Sequence, residues 1–263
     1  MLLSDYLNLL QAKGQYTFTR TEAIQYLNTS ENAFKLAAMR LIKKGRLARP
    51  LQCFYVITPI EYHEMGVPPP TWYIESLMKF HQQPYYVGLL SAAALHGAAH
   101  QQPQVFQVVT NQSLRPINIG RLSIQFFTKK SISPRSHQSI KTPTGYMQVS
   151  TPEVTALDLV EYVKSAGYLN HVATILAELQ ERFQVNNFAQ ILNAEKIEVP
   201  CVQRLGYILE KIEASPEIIS FLKKWIKEKK PRFFPLRSDK IYKDSPKNKD
   251  WRLYINETIE TDV

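Results

Sequence analysis

The stretch Tyr85–Thr110, YYVGLLSAAALHGAAHQQPQVFQVVT, constrains the fold of this chain more than any other. It opens apolar, passes through a run of small residues, and ends in an alternating segment rich in Val and Phe. Ala92, Ala93, Ala94, Ala98 and Ala99 combine high helix propensity with a thin side-chain layer that lets a neighbour approach closely. Val87–Ala99 is therefore predicted as a centrally packed helix, and Gln104–Thr110 as a strand. The core of a large mixed α+β domain is expected here.

Ahead of this stretch lies a smaller module. Leu2, Leu3, Tyr6, Leu7, Leu9 and Leu10 mark a short amphipathic helix ending near Gly14. Thr19 and Glu22 form a capping-box pair that opens a helix over Arg20–Leu27. After a turn at Asn28-Thr29, Ser30 caps a longer helix, Glu31–Lys44, with Ala33, Phe34, Ala37, Ala38, Leu41 and Ile42 assigned to its inner face. Gly45 suits the position after a helix end. Arg46–Pro50 and Cys53–Thr58 read as two strands joined at Pro50-Leu51-Gln52. Three helices followed by a hairpin predict a winged helix-turn-helix, with its second turn helix placed for the major groove. The domain boundary is set at the prolines Pro68-Pro69-Pro70, giving 1–66 as a DNA-binding module and 67–263 as a larger α+β domain.

Charge supports that division. The chain is +9 overall, and residues 30–49 hold six basic residues against Glu31, a net of +5. Residues 223–252 hold twelve basic and four acidic residues, a net of +8. Two basic islands on a mildly acidic body point to a polyanion, nucleic acid first; the plain alternative is a solvated cationic face. In the first island Ser30, Glu31, Asn32 and Lys35 are expected toward base edges, and Asn32 carries the paired donor and acceptor that suit adenine. Arg40, Lys43 and Lys44 suit phosphate, and Arg46 and Arg49 sit at the wing. In the second island Lys223, Lys224, Lys229, Lys230 and Arg232 are candidates for RNA or for opposing a protein partner. Trp225, Phe233, Phe234, Tyr242 and Trp251 lie among them, for stacking or for the core.

In the large domain, Ile117–Ile119 and Leu122–Thr128 read as a hairpin turning at Gly120-Arg121. Lys129–Thr144 reads as loop and Tyr146–Val149 as a strand. Ser150-Thr151-Pro152-Glu153 starts a helix to about Lys164. Further helices fall at Val172–Phe183, Asn187–Asn193, Val202–Glu213 and Pro216–Lys230, with a terminal strand at Trp251–Ile255.

Little points to catalysis. His96 and His100 are one helical turn apart, but Gly97 stands where a metalloprotease needs Glu, and no third ligand is placed. Asp158 and Glu161, like Glu178 and Glu181, pair on helices without the strand pattern of a magnesium nuclease. Phosphate-loop, dinucleotide and nucleophile-elbow glycine patterns do not occur. No catalytic residue, metal or cofactor is expected. With two cysteines, no long apolar run and Asp5 in a leader that lacks basic residues, a reducing cytoplasm is expected, without a membrane span or signal peptide.

The same strings carry a family resemblance. YYVGLLSAAALHGAAHQQPQVFQVVT, then STPEVTALDLV at Ser150–Val160, then the basic N-terminal segment ending in FYVITP, resemble the AbiEi-type antitoxins. These are the regulatory halves of bacterial abortive-infection toxin–antitoxin pairs. The likeness runs from about Thr19 to Val160 and continues more weakly in Val202–Glu210 and Trp251–Asp262. It implies a repressor of its own operon that binds operator DNA and counters an AbiEii-like nucleotidyltransferase toxin. It further implies that no stable complex forms, a type IV system. The alternatives left open are a winged-helix regulator whose large domain senses a ligand or oligomerises, and a nucleic-acid-processing enzyme.

Overall fold

The computed structural model describes residues 1–98, 104–194 and 196–260. Packing divides the chain into two units: Met1–Val87 with Gln104–Ile132 and Ser139–Val149, and Gly88–Pro103 with Ser133–Gln138 and Ser150–Val263.

The first unit begins with α1 (Leu3–Ala12), whose buried Leu3, Tyr6, Leu7 and Leu10 recur at helical spacing. A strand that the sequence did not signal, β1 (Thr17–Thr19), follows. It is too short for an alternating pattern, and its register is set by the later strand over Phe54–Ile57: Thr17 pairs with Val56 and Thr19 with Phe54. Thr19 then caps α2 (Arg20–Leu27) in a reciprocal box, its backbone N–H donating to Glu22 at 2.6 Å. Asn28, in the left-handed region, ends α2. Ser30 accepts the Ala33 N–H at 3.2 Å and starts α3 (Glu31–Lys43). β2 (Leu47–Leu51) and β3 (Phe54–Ile57) form a hairpin with a register shift between Ala48 and Leu51. Pro50, which has no N–H to donate, falls at that irregularity. Sheet order is β1-β3-β2. One core unites these elements, with Leu7, Phe18, Phe34, Leu47, Tyr55 and Ile57 at its centre.

Short 3-10 turns at Ile60–Tyr62 and Pro70–Trp72 lead to α4 (Ile74–His81). Tyr16 and Tyr62 both meet the Trp72 ring edge-on, and Phe54 packs on Phe80. The rest of the unit is a six-stranded sheet in the order β6-β7-β5-β4-β9-β8. Its strands are β4 (Tyr85–Val87), β5 (Val105–Thr110), β6 (Ile117–Ile119), β7 (Leu122–Thr128), β8 (His137–Thr142) and β9 (Gly145–Ser150). The β6–β7 hairpin is antiparallel and turns at Gly120-Arg121 as its sequence predicts. β5 and β7 run parallel, in register from Val105↔Ser123 to Thr110↔Thr128.

Two expectations are corrected. Val87 is a strand residue, and the helix after it, α5 (Leu89–Leu95), is shorter than Val87–Ala99. Gly88 separates the two elements, and Gly97 at φ +81 closes the far side. Ala99 lies outside the described residues. Likewise, 129–144 is not all loop, because β8 occupies His137–Thr142. Its polar side chains are mostly exposed, so the strand lacks the apolar alternation that reveals a half-buried one.

The second unit holds α5, α6 (Pro152–Glu161), α7 (Tyr168–Leu179), α8 (Val185–Ala194), α9 (Val199–Lys211) and α10 (Pro216–Lys229). In α6 the run Glu153–Val160 is buried without interruption, so this helix is surrounded rather than half-exposed. Glu153 does more than complement the helix dipole. Its buried carboxylate accepts the Gln184 N–H at 2.9 Å and the Asn187 amide at 3.2 Å.

The terminal strand is β12 (Leu253–Tyr254), narrower than Trp251–Ile255, and it sits in a small sheet with β10 (Phe234–Pro235) and β11 (Lys247–Asn248), order β10-β12-β11. Buried Gln203 on α9 donates to the carbonyls of Trp251 at 2.9 Å and Arg252 at 3.0 Å. The fully buried Trp251 ring lies against Gly206, where an added Cβ would come within 2.0 Å of Cζ3.

Candidate nucleic-acid interface

Buried Phe34 and Ala38 fix the inward face of α3, and the spacing of the rest follows. Asn32, Lys35, Arg40 and Lys43 are exposed along the opposite side, as is Ser30 at the cap. Ala33 and Ile42, assigned to the inner face from sequence, are exposed instead. The core is narrow enough that Phe34, Ala38 and the half-buried Ala37 and Leu41 fill it.

Glu31 is the one acid of the first island, and its charge is answered locally. Its carboxylate accepts from Lys35 at 2.9 Å and Arg20 at 2.7 Å. The Lys35 hydrogen bond first, then Arg20, holds this carboxyl below the usual range. Lys35 is therefore paired, though exposed pairs of this kind are weak and exchange readily for phosphate. Arg40, Lys43, Lys44 and Arg49 have no ion pair among the described residues. Arg46 is half-buried and donates to Asn8 at 2.7 Å, which ties α1 to the start of the hairpin. A crevice of about 190 Å³ between α3 and the hairpin is lined by Arg20, Lys35, Met39, Arg49, Gln52 and Tyr55.

Two residues on this face escape a reading based on charge. Leu36 is 57% exposed and Met39 66% exposed, midway between Asn32 and Lys43. Helical spacing carries the signal, since a wheel that buries 34, 38 and 41 must turn 36 and 39 outward. Large apolar side chains amid cations on an uncovered helix face are suited to apolar contacts such as thymine methyls.

The second island is less uniform than its charge count. Lys223 on α10 is tied inward: it donates to Glu210 and to Asp250 at 3.1 Å, and lies 5.6 Å from the Trp251 ring centre. The indole N–H of Trp251 donates to the second Glu210 oxygen at 2.8 Å. The Glu210 hydrogen bond first, opposed by burial, pushes the Lys223 ammonium up. Lys224, Lys229, Lys230 and Arg232 are exposed; Lys229 lies over Trp225 at 5.3 Å and Arg232 over Phe234 at 4.9 Å.

His96 is buried, and its Nε2 donates to the Ser150 carbonyl at 2.7 Å, leaving that nitrogen engaged. His100 lies outside the described residues. Among the described residues no group of three His, Cys, Asp or Glu side chains converges as a metal site. Burial pushes the His96 imidazole below its ordinary value, aided by Arg182 and opposed by the Ser150 hydrogen bond and Glu153. The unfolded chain therefore binds a proton near pH 6.5 that the folded chain refuses. Stability contributed by neutral His96 is complete above about pH 7 and is lost as pH falls below about 6.5. Thermal melts from about pH 8 to 5 are expected to show a fall in Tm for the parent, and a smaller fall for His96→Gln. Equal slopes would contradict the assignment.

The mixed α+β architecture has solved counterparts. The crystal structure of the RV2827C protein from Mycobacterium tuberculosis superposes with a TM-score of 0.68 at 13% identity, covering 95% of this chain and 89% of that chain. No curated protein matches the sequence. Residues 86–211 match the family model of the AbiEi antitoxin C-terminal domain. The resemblance read from the sequence is thus borne out over residues 86–211, which are similar to the AbiEi antitoxin C-terminal domain. No helix among the described residues is long and apolar enough to cross a membrane.

Proposed function

We propose that this protein is a DNA-binding repressor and antitoxin that binds operator DNA of its own operon and counteracts a nucleotidyltransferase toxin of the AbiEii type. The antitoxin half rests on the family match over residues 86–211. The repressor half rests on one observation, the capped helix α3 with an exposed face that carries Asn32, Lys35, Arg40 and Lys43. On this reading α2, the Asn28 turn, α3 and the β2–β3 hairpin act as a winged helix-turn-helix in a module over 1–66. Asn32, Leu36 and Met39 meet base edges; Lys35, Arg40, Lys43 and Lys44 meet phosphates; Arg49 follows the wing. Ser30 and Arg46 take supporting roles, one at the cap and one on Asn8. The toxin is opposed through the region 67–263 without a stable complex and without catalysis by this chain.

Lys224, Lys229, Lys230 and Arg232 are the proposed toxin-opposing cations, with Lys223 reassigned to holding Trp251. Reversal of Lys229, Lys230 and Arg232 to Glu in the full chain is expected to abolish growth protection under induced toxin. Promoter shifts by the same variant are expected to stay within about twofold of the parent, since these charges lie outside α3. Undiminished protection would make the exposed face of α10 a solvated surface only.

A further inference from the structure

The small sheet carries more than the seat of Trp251. Phe233 and Tyr254 have ring centres 5.6 Å apart, and Tyr242 lies 5.3 Å from Tyr254. Cations frame this cluster. Lys247 lies 5.7 Å from the Phe233 ring centre and 5.3 Å from that of Tyr254, and the Arg252 guanidinium is 5.9 Å from Phe233. Tyr242 is 38% exposed, and Lys243, Lys247, Lys249 and Arg252 are all exposed.

Three acids of this region are committed elsewhere, while Asp244 is exposed without an ion pair among the described residues. Asp250 is paired with Lys223 at 3.1 Å, and Asp239 with the buried Arg237 at 2.8 Å. Glu257 is shared by Arg237 at 2.8 Å and Lys240 at 3.2 Å. Lys243, Lys247, Lys249 and Arg252 have no ion pair among the described residues. A ring cluster is thus left inside a field in which these four cations outnumber the unpaired Asp244.

We infer that the Phe233–Tyr242–Tyr254 cluster is a binding site for single-stranded nucleic acid. Unpaired bases stack on the rings, and Lys247, Lys249 and Arg252 hold the phosphates. Bases in a duplex are already stacked and closed to a ring face, so the strand must be single. An acidic peptide would satisfy the cations but leave the rings without flat partners. Exposed cation–ring contacts are weak enough for a base to displace the ammonium of Lys247. The site is separate from α3 and does not depend on the operator reading.

The test is fluorescence anisotropy of the full-length protein with labelled dodecamers of rU, rA and dT over a salt series. The parent is expected to bind with affinity that falls as salt rises. Tyr242→Ala and Phe233→Ala are each expected to weaken binding about tenfold, the usual effect of removing one stacking ring. Lys247→Ala with Arg252→Ala is expected to flatten the salt slope by about 0.7 for each phosphate that is no longer neutralised. Arg40→Ala with Lys43→Ala on α3 is expected to weaken single-strand binding less than either ring substitution does. Tighter binding of rU or rA than of dT would identify RNA as the strand, and the reverse DNA. Tyr242→Ala removes an exposed ring, and an unchanged melting temperature keeps its result independent of folding. No binding by the parent, equal binding by all sheet variants, or loss confined to the α3 variant would overturn the inference. So would binding of polyglutamate in place of the oligonucleotides.

Discussion

Gly206→Ala is expected to destabilise the protein by about 3 kcal/mol, the upper end of the range for overpacking a closed site. The added methyl would sit 2.0 Å from Cζ3 of Trp251, 2.3 Å from Cη2 and 2.6 Å from Cε3. It has no room to be accommodated. Trp251 is wholly buried, its indole N–H is held by Glu210 at 2.8 Å, and its carbonyl is held by Gln203 at 2.9 Å. An alanine gains about 1 kcal/mol of helix propensity over glycine, which is too little to offset the clash. Displacing the ring would also release Lys223 and Asp250, so the small sheet and α10 should loosen together. Urea unfolding is expected to show a lower midpoint for Gly206→Ala. Trp251→Ala is expected to lose about 3–5 kcal/mol through the cavity it leaves. A Gly206→Ala protein as stable as the parent would mean that Trp251 does not rest on α9.

Much of this architecture is written in local chemistry. Caps at Thr19, Ser30 and Thr151 mark helix starts because their side-chain oxygens satisfy N–H groups near each start. The hairpin at Gly120-Arg121 is legible for a similar reason, and a Cβ at Gly120 would lie 1.9 Å from the Met65 carbonyl oxygen. What stayed hidden depends on partners distant in sequence. β1 exists because β3 pairs with it, and β8 because it borders β9. The start of α5 at Leu89 was obscured by helix-favouring alanines that outvoted a single Gly88. The candidate sites divide the same way. Arg40 and Lys43 on the outer face of α3 follow from helical spacing. The internal role of Lys223 does not, because Glu210 and Asp250 approach it from α9 and from the segment before Trp251. Charge counting treats Lys223 and Lys224 alike, and the fold separates them.

Replacing Asn32, Leu36, Arg40 and Lys43 together by alanine is expected to weaken operator binding about a thousandfold, summing two base contacts and two phosphate contacts. All four side chains are exposed, so the change should leave folding intact. The components are separable. Arg40→Ala or Lys43→Ala alone should weaken binding to every sequence and lower the salt slope by about one. Asn32→Ala should cost about 1–3 kcal/mol at one base pair only. Leu36→Ala should matter only where the operator offers a thymine methyl, and replacing that thymine by deoxyuridine should reproduce its effect. Growth protection against the toxin should survive the fourfold change, because residues 86–211, which match the AbiEi antitoxin C-terminal domain, are untouched. The decisive measurement is the promoter shift of the fourfold variant beside the parent, with melting temperature recorded on the same preparations. The account predicts a variant as stable as the parent that no longer shifts its own promoter. A variant that shifts it with the parent's affinity would contradict the assignment of α3 as the operator-reading helix.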